Sequence, residues 1–118
     1  GSSPRHAVLS PDGTRLYISS NLGGVIKKLD ARNGNELDRV STGTQPRTMV
    51  LAEDGASLYV VNYQDDTISK VRTSDFEILQ TLPTRHHPVG VTYDAATRQV
   101  WVANYAGSLS VYVDNAPS

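Results

Sequence analysis

Along this chain apolar and polar positions alternate in short runs, and nowhere do apolar residues return every three or four places. Alternation puts successive side chains on opposite faces of an extended backbone, whereas a helix needs a period of about 3.6 residues. Strands are therefore predicted throughout, and helices nowhere. The runs HAVLS, TMVLA and GVTY each follow a proline, which cannot donate to a ladder and suits the start of a strand. The turn signals SPDG and AEDG come next, since glycine allows positive φ and aspartate can bond the backbone two residues on. RLYIS, SLYVV and QVWVA then read as β-branched and aromatic second strands. VIKKLD, TISKVR and LSVYV are third strands, the last of which aligns with the others in two ways, one residue apart. ELDRVS and EILQTL alternate less cleanly, which suits an outer edge. Lys27, Lys28 and Lys70 read as solvent-facing gatekeepers on the third strands.

The same order of signals occurs three times. Pro4, Pro46 and Pro88 are spaced by 42 residues, and Tyr17, Tyr59 and Trp101 fall in register with them, as do Leu16, Leu58 and Val100. Asn62 and Asn104 repeat opposite Ser20, and Asp12-Gly13 is matched by Asp54-Gly55, where the third copy has Ala96-Thr97. Four antiparallel strands in a repeat of this length make the blade of a β-propeller, an all-β fold. Residues 4–45 and 46–87 are expected to be complete blades and 88–114 a third that lacks its outer strand; 1–3 read as a cloning remnant and 115–118 as a tail. Tyr17, Tyr59 and Trp101 are then expected to pack between neighbouring blades, because one aromatic per blade at fixed register is what such packing requires. Three blades do not close a ring, so the expected partners are the remaining blades of a longer chain or further copies of this one.

The segments LSPDGTRLYISSN, LYVVNYQDDTISKV and VWVANYAGSLSVYV resemble the YVTN-type repeats of β-propeller proteins from bacterial and archaeal surfaces, secretions and periplasms. The motif corresponds to Tyr59, Val60, Val61, Asn62 and to Trp101, Val102, Ala103, Asn104, and the first copy departs with Ser19-Ser20. These residues build the repeat, so the resemblance implies a propeller and an extracellular, surface or periplasmic setting rather than an activity. It also implies that the loop after each second strand and the connection from each fourth strand to the next first strand share one end of the molecule.

Composition narrows the classes. The 118 residues carry 11 basic and 12 acidic side chains without a run of either sign, which disfavours nucleic acid as partner. The absence of cysteine excludes disulfides and thiolate chemistry, and no apolar run approaches the roughly 20 residues of a membrane-spanning helix.

Because strands are committed to packing, function is sought on the loops. The end implied above collects Tyr63, Asp65, Asp66 and Tyr105 from one set of loops, Arg85, His86 and His87 from a connection, and Arg5, His6 and Arg47 at the chain start and the next repeat. Aligned at 42 residues, Arg85, His86 and His87 stand over Gly43, Thr44 and Gln45, so the repeat does not require histidine there. His86 and His87 are candidate metal ligands, although consecutive histidines usually point apart and need a third ligand. Asp65 and Asp66 lack the alternating oxygen ligands of a calcium loop and read more simply as a solvated turn. Arg5 and Arg47 share a repeat position from which a guanidinium reaches either an anion or a neighbouring blade. No nucleophile elbow, HExxH or phosphate loop is present, and no serine has a spacing reason to pair with a histidine. The reading is a non-enzymatic module, without a resident cofactor, that binds a protein, glycan or small ligand or serves a structural role. The alternative is a section of a lactonase-like, haem- or quinone-associated propeller with a site at the channel mouth.

Overall fold

A computed structural model describes residues 4–20, 24–43, 46–52, 55–84, 87–105 and 107–113, and all of its regular elements are strands. Strands β1 (Pro4–Leu9), β2 (Arg15–Ser20), β3 (Val25–Asp30) and β4 (Glu36–Ser41) form one antiparallel sheet in sequence order. β5 (Pro46–Leu51), β6 (Ser57–Asn62), β7 (Thr67–Arg72) and β8 (Glu77–Pro83) repeat it. β9 (Pro88–Asp94), β10 (Gln99–Asn104) and β11 (Leu109–Val113) form a third sheet of three strands. The first strand of each sheet lies against the first strand of the next, β1 on β5 and β5 on β9, which makes them the innermost strands.

Register settles the ambiguous third strand. Val60 pairs with Ser69 and its repeat partner Val102 with Ser110, so β11 is shifted by 41 residues from β7 rather than 42. The loop before it is one residue shorter. Val111 thereby takes the place held by Lys28 and Lys70, opposite Trp101 where those lysines stand opposite Tyr17 and Tyr59.

The core lies in two seams between sheets. Tyr17 and Ile26 of the first sheet meet Met49, Leu58, Val60, Val71 and Phe76 of the second, with Val8, Val40, Leu51 and Ile78 at the margins. Tyr59, Val61 and Ile68 of the second meet Val100 and Val102 of the third. The second sheet thus gives one face to the sheet before it and the other to the sheet after it. The aromatic series works as anticipated at two of its three positions: Tyr17 stacks on Phe76 at 5.9 Å and Tyr59 on Tyr93 at 6.3 Å, each across a seam. Trp101 stays half-buried, because no following sheet covers it among the described residues.

Two of the lysines depart from their expected role. Lys70 is buried with its Nζ 5.7 Å from the centre of the Tyr59 ring, and Lys28 donates from Nζ to the Thr73 carbonyl at 3.0 Å while lying over Phe76. Their alkyl stems cover the seam and the ammonium groups meet aromatic faces or carbonyls, so neither is simply solvated. Lys27 alone keeps the surface role, 3.8 Å from Glu36.

The turns at the opposite end rest on aspartates. Asp12 accepts from the Thr14 N–H and from the Ser10 and Thr14 hydroxyls, which holds its carboxyl down at about 2. Asp30 and Asp75 are likewise held at about 2, each chiefly by a guanidinium, Arg32 and Arg72 respectively. Folding lowers these pKa values below the roughly 3.9 of an unfolded aspartate, so the stabilisation is full above about pH 5 and is lost as pH falls through 4 towards 2. Thermal melts across pH should be level from neutral to about pH 5 and then fall. The triple variant Asp12→Asn, Asp30→Asn, Asp75→Asn should show a lower but much flatter profile; an unchanged acid limb would remove these residues from the account.

Candidate functional site

The loops following β2, β6 and β10 and the connections from β4 to β5 and β8 to β9 meet at one end of the molecule, tied by backbone hydrogen bonds. The Thr42 N–H donates to the Gly24 carbonyl at 3.2 Å, and one repeat later Thr84 donates to Asp66 at 2.8 Å. The next link joins the Tyr105 N–H to the His87 carbonyl at 2.8 Å. Gly24 and Asp66 occupy the same repeat position with φ of 64° and 54°. At Gly24 a Cβ would collide with the Gly43 carbonyl, whereas the second loop accommodates the aspartate.

Around His87 the predicted residues converge. Its backbone is also left-handed, at φ 52°, and its N–H donates to Asp66 Oδ1 at 2.7 Å. The imidazole stacks on Tyr63 with ring centres 4.4 Å apart and planes 16° from parallel. Nδ1 lies 3.3 Å from the Tyr63 carbonyl and 3.5 Å from Asp66 Oδ1. Two oxygen acceptors on that side favour the tautomer with hydrogen on Nδ1, which donates to the carbonyl and leaves Nε2 as the acceptor of the ring. Tyr105, 75% exposed, adds an aromatic side chain whose backbone is bonded to His87. The result is an oriented imidazole, a tyrosine stacked on it and a carboxylate, with a second tyrosine nearby.

Asp65 is placed towards the preceding connection. Its Oδ2 lies against the Gly43 backbone, 2.6 Å from where a Cβ on that glycine would stand, whereas Asp66 Oδ1 accepts from the His87 N–H in the next connection. His6 pairs with Ser19 in the ladder between β1 and β2, and its carbonyl accepts from the Ser19 hydroxyl at 3.4 Å. Arg85 and His86 lie outside the described residues, as do the side chains of Arg5 and Arg47. Among the described residues no three histidines, aspartates or glutamates come together in a way that would hold a metal ion.

Beneath the loops sits a polar cluster centred on Asn62, a residue of the repeat signature. Asn62 is fully buried; its Oδ1 accepts from the Thr42 hydroxyl at 3.0 Å, and its Nδ2 donates to Thr67 at 3.1 Å and Ser69 at 3.0 Å. It fastens the first connection to the second sheet. The opposite end of the molecule has an open cleft of about 340 Å³ lined by Ser10, Pro11, Asp12, Arg15, Tyr17 and Gly55. Asp12 is there committed to its own turn by three hydrogen bonds.

No family model and no curated protein matches the chain. Among solved structures, it is similar to the hydrazine synthase of Kuenenia stuttgartiensis, with 30% identity and a TM-score of 0.81 over 86% of this chain and 29% of that one. It is also similar to a putative 6-phosphogluconolactonase from Bacteroides fragilis NCTC 9343, with 22% identity and a TM-score of 0.83 over 98% of this chain and 36% of that one. A second putative 6-phosphogluconolactonase, from Bacteroides uniformis ATCC 8492, shares 15% identity and a TM-score of 0.81 over 97% and 38%. With the sheet topology, these likenesses define the chain as consecutive blades of a β-propeller. It spans about a third of the length of the structures it matches.

Proposed function

We propose that these blades belong to a YVTN-type propeller and act as a non-enzymatic binding module in an extracellular, cell-surface or periplasmic setting, with the loop end built around His87 as the recognition surface. Within the range of protein, glycan and small ligands, the chemistry of the cluster favours a glycan. The supporting observation is the stacked Tyr63–His87 pair beside Asp66, with exposed Tyr105 joined to the same connection. Flat aromatic faces take up the apolar face of a sugar ring, while carboxylate and imidazole edges bond its hydroxyls. Arg5, Arg47, Arg85 and His86, which the resemblance to propeller repeats assigns to the same end, would set the charge preference of the surface. The test is a glycan array, followed by calorimetry with the strongest glycan on the protein and on Tyr105→Ala and His87→Ala. Each substitution should weaken binding at least about tenfold. An array without binders, or binding indifferent to both changes, would remove the reading.

One observation supports a second reading, a section of an enzyme or cofactor-binding propeller. Two of the similar structures are described as putative 6-phosphogluconolactonases, and His87 Nδ1 lies 3.5 Å from Asp66, as in an imidazole oriented for proton transfer or metal ligation. The described donors are too few to hold a metal by themselves. Saturable zinc or manganese binding abolished by His87→Ala would favour this reading over the first.

A further inference from the structure

Independently of the loop end, the open cleft of about 340 Å³ at the other end of the molecule lies at the rim of the first seam. Ser10, Pro11, Asp12, Arg15 and Tyr17 belong to the first sheet and its first turn, and Gly55 to the first turn of the second sheet. Both walls thus come from sheets that pack on each other within the chain. A Cβ on Gly55 would stand 2.9 Å from the Pro11 ring, so the two turns approach closely there.

Asp12 and Arg15 line this space with bonding capacity left over. The three hydrogen bonds to Asp12, from the Ser10 hydroxyl and from the Thr14 N–H and hydroxyl, all fall on Oδ1, and Oδ2 accepts none among the described residues. Those bonds also keep the carboxyl ionised. Arg15 is half-buried, and its Nη1 donates to the Thr14 carbonyl at 3.1 Å, which steadies the guanidinium. Its Nε and Nη2, an edge that takes up a carboxylate with two parallel bonds, donate to no described residue. Burial pushes the Tyr17 phenol up, and beside Thr73 both Arg15 and Asp12 act on it with opposite sign, so the two charges stand close to one group. They form no ion pair with each other, which leaves room between them. The repeat does not ask for this pair. Arg15 aligns with Ser57 and Gln99, and Asp12 with Asp54 and Ala96, so the first copy alone has opposite charges at the two places.

We propose that this cleft binds a free α-amino acid with a small side chain, its carboxylate on the Nε–Nη2 edge of Arg15 and its ammonium group on Asp12 Oδ2. Charge decides among small polar ligands. A lone carboxylate would meet Arg15 but stand against ionised Asp12, and a lone amine would meet Asp12 but stand against Arg15. A zwitterion answers both groups at once. Pro11 and Tyr17 supply an apolar wall for the side chain, and the volume is at the small end of the roughly 300–1,000 Å³ of ligand sites, which suits a free amino acid better than a peptide.

Titration of L-alanine into the isotope-labelled 118-residue chain, followed by nuclear magnetic resonance, tests this. Saturable shifts are expected at the Arg15 side-chain Nε–H and at the backbone N–H groups of Gly13, Thr14 and Gly55. Arg15→Gln, the residue that the third repeat has at this place, and Asp12→Asn, which keeps an oxygen acceptor for the turn, should each weaken binding at least about tenfold. Acetate, ethylamine and lactate, each lacking one of the two charges, should bind at least about tenfold more weakly than alanine. Circular dichroism checks that both variants are folded; should Asp12→Asn fail, Arg15→Gln and the ligand series decide. Shifts that do not saturate, binding untouched by the variants, or lactate or acetate binding as well as alanine would overturn the proposal.

Discussion

Phe76→Ala is expected to lower the melting temperature by about 12–24 °C, the product of a loss of roughly 3–4 kcal/mol and the 4–6 °C per kcal/mol usual for a chain of this size. The residue sits in the turn between β7 and β8, yet it is 4% exposed and stacks on Tyr17 of the preceding sheet. Lys28, the cross-strand partner of Tyr17, also lies over the ring, 5.3 Å from its centre. Removing the ring therefore opens a cavity in the first seam. The backbone adds a second term. Phe76 has φ 58°, the conformation that Gly34 adopts at 77° one repeat earlier. A left-handed non-glycine residue costs roughly 1–2 kcal/mol, a cost the aromatic packing outweighs. Phe76→Gly should consequently be less destabilised than Phe76→Ala by about 1 kcal/mol, although it removes more of the side chain. Melts of both variants by circular dichroism give the two numbers. A Phe76→Ala protein within 1 kcal/mol of the parent would mean that this ring does not hold the sheets together.

That residue also marks where the sequence stops being readable. Strands, turns and the 42-residue repeat were legible because alternation, prolines and turn residues are local signals, and two or three copies vote on each position. Phe76 stands in a polar turn, and its partner Tyr17 is in another repeat; no local pattern reports such a pair. Lys28 and Lys70 misled for a related reason. An alternating lysine looks solvated until the next sheet is placed against it, after which the stem is covered and the ammonium group finds an aromatic ring or a carbonyl. The loop end was legible as a place only through the resemblance to propeller repeats, which implies that the connection carrying His87 shares an end with the loop of Tyr63. Its chemistry was not: the imidazole stack and the bond to Asp66 depend on left-handed backbone at both His87 and Asp66, which residue type does not announce. For β11 the sequence left two alignments one residue apart, and only Ser110 opposite Val102 chooses between them. From that shift follows the exposed Val111 opposite Trp101, where the earlier repeats set a lysine opposite a tyrosine.

Asn62→Ala should cost about 2–4 kcal/mol, and Asn104→Ala, the same change one repeat later, about 1–2 kcal/mol less than that. Both asparagines end the second strand of their sheet and both are buried. Asn62 satisfies every polar atom of its amide through Thr42, Thr67 and Ser69, and Ser69 in turn donates to the Thr42 carbonyl at 3.4 Å. Alanine there strands buried hydroxyls from two sheets at once and leaves a void, and each unmet group carries its own desolvation cost. Asn104 donates to the Ser108 carbonyl at 3.1 Å and to the Ser110 hydroxyl at 3.3 Å, but its Oδ1 meets no donor among the described residues. Its native state already carries part of the penalty, so less remains to be lost. The Thr42→Val, Asn62→Ala double-mutant cycle separates the network from mere packing: a coupling of at least about 0.5 kcal/mol is expected for the hydroxyl–amide bond. Equal losses at Asn62 and Asn104 would show that the repeat position, rather than the completed network around it, sets the cost. The larger loss at Asn62 would instead identify the cross-sheet bond from Thr42 as what fixes the connection beside the His87 loops, linking the stability of the second blade to the geometry of the recognition end.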